Sequence, residues 1–197
     1  MINKFFQKQR GAMFGLDARI AVTIFAALAV ILGITVFMTV PQVQARSLVQ
    51  DIRTYQTAVE GMQYDVRQDI TDIITTGGDA DIKRFQALND RTVVRTGAQP
   101  KWMGPYLNSR SAEATVHENY GQLYLIVADR ADYTATGCAD CFYWLRIDDV
   151  PEDTFTIVNG EFDGEGEAAP ATNGKVRWAA DDGSNPDRLY VRLANVL

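Results

Sequence analysis

The residues able to do chemistry are few. Cys138 and Cys141 are the only cysteines and His117 is the only histidine. The C-x-x-C spacing suits a redox pair when a helix N-terminus lowers the first thiol's pKa. Here, however, the pair precedes FYWLR, a strand-like run, and no tryptophan stands immediately before it. A structural disulfide is the expectation, with redox chemistry and free or metal-bound thiols as alternatives. His117, in TVHENYGQ, has Glu118 beside it and no second ligand at metal spacing, so it reads as a surface or half-buried polar residue. No nucleophile–base pair emerges around a single histidine, and an enzyme is not expected.

Oxygen-rich chemistry is the other candidate. EFDGEGE, from Glu161 to Glu167, sets acidic side chains among glycines, and Asp163, Glu165 and Glu167 are weak candidates for calcium. The spacing does not match an EF-hand, so a solvated acidic loop and no cofactor is the expectation. Asp181-Asp182-Gly183 reads as a turn. Tyr143, Trp144, Trp178 and Tyr190 are suited to a carbohydrate or adhesion platform, but aromatics in strands usually fill a core. A net charge of -6 without a Lys/Arg stripe excludes a general nucleic-acid binder.

The elements that must carry these residues begin with an apolar run. Ile20 to Val40 holds about 21 residues without a charge, about 30 Å of helix, and Lys4, Lys8 and Arg10 precede it. That pattern predicts a single-pass inner-membrane segment, with the N-terminus in the cytoplasm and the rest in the periplasm. Beyond Pro41, Leu48, Ile52, Tyr55, Val59, Met62 and Val66 recur at helical spacing. One helix, kinked at Pro41, is therefore expected from about Leu16 to Ile74, ending at Thr75-Thr76-Gly77-Gly78.

The expected domains are a basic leader over 1–11, a hydrophobic transmembrane or filament-core helix over 12–40, its amphipathic continuation over 41–76, and an α+β head over 77–197. Within the head, a short helix near Asp81 to Asn89 precedes strand-like runs at Gln122 to Val127, Phe142 to Ile147, Phe155 to Val158, Lys175 to Ala179 and Leu189 to Leu193. Asn159-Gly160 and Asn173-Gly174 read as turns. The expected fold class is α+β, a long hydrophobic helix packed by an antiparallel sheet.

KQRGAMFGLDARIAVTIFAALAVILG resembles the start of type IV pilins and of the pseudopilins of type II secretion, whose short basic leader ends in glycine before a hydrophobic helix. The resemblance implies cleavage by a prepilin peptidase after Gly11, leaving a methylated Ala12, with Gly15 and Leu16 as the alternative cut. An acidic residue usually stands about five positions into the mature chain; Asp17 falls one place later and would pair with the N-terminal amine of a neighbouring subunit. PKWMGPYL, with Trp102, Gly104, Pro105 and Tyr106, resembles a head-loop segment of the major pseudopilin. Implied partners are copies of itself in a filament, minor pilins or pseudopilins, the peptidase, an inner-membrane platform protein, an assembly ATPase and the membrane. The implied function is a structural subunit of a pilus or pseudopilus. The alternatives are a signal-anchored periplasmic binding or sensing protein with an uncleaved helix, and a periplasmic redox protein.

Overall fold

A computed structural model describes residues 7–107, 115–135, 140–164 and 174–196; the side chains of 7–17 and 34–39 lie outside that description. The chain divides into two units, 1–43 and 44–197. Helix α1, Gln7–Val66, contributes to both and contains Pro41 within its length.

In the first unit the described side chains are solvent-exposed throughout 18–33. In the second, α1 becomes one-faced. Leu48, Ile52, Val59, Met62 and Val66 are wholly buried, three or four residues apart, which stacks them on one stripe of the helix. Between them stand residues such as Gln50, Arg53, Thr54 and Glu60, turned to solvent or half-buried.

α1 ends earlier than the sequence suggests. Arg67 adopts φ 53°, a left-handed residue closing the helix, and the chain restarts as α2, Ile70–Ile73. Asp69 caps α2, its Oδ1 accepting from the Thr71 N–H at 2.7 Å. Tyr143, from the sheet, holds this break: its hydroxyl donates to Asp69 Oδ1 and accepts from the Ile70 N–H. Gly77 and Gly78, both at positive φ, lead into α3, Ala80–Gln86, which Asp79 caps.

Among the described residues the strands form one antiparallel sheet ordered β1-β2-β4-β3, from Leu123–Asp129, Cys141–Asp148, Arg188–Asn195 and Val176–Ala179. Alternation gives it two faces. Leu125, Tyr143, Leu145, Ile147, Leu189 and Val191 point to the main core shared with α1, α2 and α3. Ala128, Trp144 and Tyr190 form a second cluster on the other face, over which Tyr133 stacks on Tyr190 at 3.9 Å.

Phe155 to Val158 is not a strand. It lies in α4, Glu152–Phe162, with Asn159-Gly160 inside the helix. Pro151 occupies the N-cap, Glu152 and Asp153 favour the positive end of the helix dipole, and Phe155, Val158 and Asn159 are buried at i, i+3, i+4. Four residues, three of them apolar, are too few to carry a period, and the capping residues decided the outcome.

Candidate assembly surface

Ile20, Val22, Ile24, Phe25, Leu28, Val30, Ile31 and Leu32 are each at least half exposed, Phe25 most of all at 75%. At about 100° per residue, these positions point around the whole circumference of α1 rather than along one stripe. Water contact on that scale is unfavourable by about 25 cal/mol for each Å² of apolar area.

The membrane expectation is corrected here. Among the described residues no helix is long and apolar enough to cross a membrane. Arg19 bounds the described apolar segment, and Ile20 to Gly33 rises only about 21 Å, against about 30 Å of hydrocarbon. The fold class is corrected with it. α1 is long, but it is not an apolar rod, because Arg46, Asp51, Arg53, Glu60 and Asp65 fall within the same 60 residues. The single-pass inner-membrane placement, with a cytoplasmic N-terminus and a periplasmic head, falls with that finding.

Gly11, Ala12, Gly15, Leu16 and Asp17 lie on the backbone of α1, and their side chains are outside the description; residues 1–6 of the leader are outside it altogether.

The loop from Trp102 to Leu107 is tied to two elements. The Tyr106 hydroxyl donates to Asp65 Oδ2 on α1 at 2.9 Å and accepts from the Met103 N–H, while its backbone N–H donates to the Leu88 carbonyl. Trp102 Nε1 donates to the Ala87 carbonyl at the end of α3 at 2.8 Å, and the ring packs against the main core. The two rings meet edge to face at 5.6 Å. Between them only glycine fits: a Cβ on Gly104 would sit 2.6 Å from Trp102 and 2.8 Å from Tyr106. The Gly104-Pro105 peptide is cis. Burial, together with the Asp65 hydrogen bond, pushes the Tyr106 phenol up to about 12.

His117 is buried rather than half-buried. Its Nε2 lies 3.2 Å from Asp51 Oδ2 on α1, its Nδ1 accepts from the Asn119 N–H, and Tyr120 covers the ring. Nearby Tyr55 is pushed up to about 12 by burial, then by Asp51 and Glu118. Nothing in the sequence paired His117 with Asp51, because the two are 66 residues apart.

Cys141 is disulfide-bonded, and Cys138, the chain's only other cysteine, lies outside the described residues. Asp163 Oδ2 accepts from the Lys175 and Val176 N–H groups, both at 2.8 Å, tying the end of α4 to β3. Glu165 and Glu167 lie outside the described residues; among those described, no group of His, Cys, Asp or Glu is placed to hold a metal ion. Asp182 accepts from Ser184 and Asn185, closing the turn at Gly183. Of the four aromatics, Tyr143 sits in the main core and Trp144 and Tyr190 in the outer cluster. Trp178 is partly buried and donates to the Val150 carbonyl.

Comparison of the chain with protein-family models, with curated proteins and with solved structures finds no match.

Proposed function

We propose that the chain is a structural subunit of a filament of the type IV pilin or type II secretion pseudopilin kind, polymerised through the exposed apolar turns of α1 after its leader is removed. What supports the reading is the apolar circumference between Ile20 and Leu32. A single docked surface covers one side of a helix. Covering every side takes several neighbours, which a repeating array of identical subunits supplies.

The resemblance gives Asp17 the role of counter-ion to the freed amine of Ala12 on another copy, since an uncompensated charge among packed helices is costly. Cleavage after Gly15 would leave Leu16 as the first residue instead. Minor subunits, the peptidase, a platform protein and an assembly ATPase complete the set of partners that the resemblance implies.

The test is the chain isolated from the cells that make it. N-terminal sequencing should return Ala12 or Leu16, and sheared material should contain filaments that are lost in Phe25→Asp. An intact Met1, or filaments indifferent to that substitution, overturns the reading.

A further inference from the structure

An imidazole is the side chain that ordinarily changes charge between about pH 5 and 8, and His117 is the only one in the chain. Its side chain is 4% exposed, and both ring nitrogens are engaged. The partner of Nδ1, at 3.2 Å, is the Asn119 backbone N–H, which can only donate. Nδ1 therefore carries no proton, and the hydrogen of the neutral ring sits on Nε2, facing Asp51 Oδ2 at 3.2 Å. A donor two residues along the chain and an acceptor 66 residues away fix the tautomer between them.

A second proton has one place to go. It must enter on Nδ1, where it would meet the Asn119 N–H donor to donor, so that hydrogen bond breaks. The Asp51 contact responds in the opposite sense, because a charged donor binds a carboxylate more strongly than a neutral one.

The two sides of the ring hold different parts of the molecule. On one side is α1, through Asp51. On the other is the loop 117–121, in which the His117 N–H donates to the Gly121 carbonyl at 3.0 Å. The loop reaches two further elements. The Gly121 N–H donates to the Asp148 carbonyl at the end of β2 at 2.8 Å, and the Tyr120 hydroxyl lies 3.5 Å from Thr154 Oγ1 on α4.

Among the described residues, the titratable groups around the ring are Asp51 and Tyr55 from α1, Glu118 and Tyr120 from the loop, and Asp149 against Gly121. Their charges set the pH at which the ring charges; the Asn119 donor sets what then moves. The other fastening of α1, Asp65 to Tyr106, does not answer to the same signal. That phenol, pushed up to about 12, keeps its proton throughout.

We propose that His117 is a proton-operated catch: on protonation the ring keeps its hold on α1 through Asp51 and releases the loop 117–121. The catch lies wholly within 44–197 and is independent of what the earlier turns of α1 assemble with.

The experiment is nitrogen-15 NMR of the full chain in mild detergent, acidified from about pH 8 to about pH 5. The neutral ring should be the Nε2–H tautomer. As the ring charges, protection of the Asn119 amide from exchange should fall at least about fivefold, the equivalent of one lost hydrogen bond. In His117→Asn the side-chain carbonyl accepts from the same N–H as an Asx turn and does not titrate, so the fall should disappear. A neutral ring protonated on Nδ1, a ring still neutral at the acid end, a smaller fall at Asn119, or a fall that persists in His117→Asn overturns the proposal. Tautomer, titration and protection are all read on the unsubstituted chain, so the test stands even where the variant does not fold.

Discussion

Val30, Ile31 and Leu32 on the first part of α1 are about 60% exposed, whereas Leu48, Ile52 and Val59 on its later part are fully buried. Both stretches are apolar and both are helical. The difference lies in what alternates with them: charged and polar residues leave the later turns one stripe to bury, and a single sheet covers one stripe. The earlier turns are apolar on every side, and no single sheet can cover that. An intramolecular core satisfies a striped helix; a helix apolar all round needs several partners.

The largest effect that would sharpen this contrast comes from truncating the same residue type in both places. Ile52→Ala should cost about 2–5 kcal/mol in unfolding of the 44–197 unit, measured by denaturant titration, because the cavity opens in a closed core. Ile31→Ala should leave that unfolding unchanged and weaken self-association, read by sedimentation. Equal destabilisation by the two would break the comparison.

Glycine provides the next test. Gly104→Ala drives a Cβ into Trp102 and Tyr106 and should cost about 1–3 kcal/mol. Gly33→Ala meets nothing within 4 Å and lies in a helix interior, so it should raise helicity, by up to about 1 kcal/mol. Circular dichroism melts of both variants check the signs.

A smaller effect follows from alkali. Tyr55 and Tyr106 are pushed up to about 12, both chiefly by burial. Below pH 10 each phenol is neutral whether the chain is folded or not, and their contribution is fully present. Between pH 10 and about 12 the unfolded chain loses these protons while the folded one keeps them, so stability should fall through that window. No tyrosine precedes Tyr55, so the helicity of the earlier turns should not follow that fall. Phenolate absorbance compared with the melting temperature across the window measures it, and Tyr106→Phe should shrink the slope.

The smallest change expected is from Glu161→Gln. Its 3.6 Å ion pair with Arg53 is half exposed on both sides, and loss of less than about 0.5 kcal/mol is anticipated by thermal melting.

The strands at Leu123–Asp129, Cys141–Asp148, Val176–Ala179 and Arg188–Asn195 lie where aromatic and β-branched runs announce them. The run at Phe155 misled, because Pro151, Glu152 and Asp153 outweighed β propensity. The reach of α1 also misled. Apolar spacing continues through Ile70 and Ile73, but both are buried by α2 after the break at Arg67. On the outer face of the sheet, the alternation in Arg188-Leu189-Tyr190-Val191-Arg192 was the legible signal, since period two places Arg188, Tyr190 and Arg192 on one side.

By itself the sequence determined local matters: where the four strands lie, which stripe of residues 44–66 faces inward, and that the turns from Ile20 to Leu32 lack a polar side. Those follow from period and capping, which act over a few residues. Only the tertiary structure decided that Asp65 meets Tyr106 and that Asp51 meets His117. Those depend on strand order and on contacts between residues as much as 66 positions apart, which no local pattern encodes.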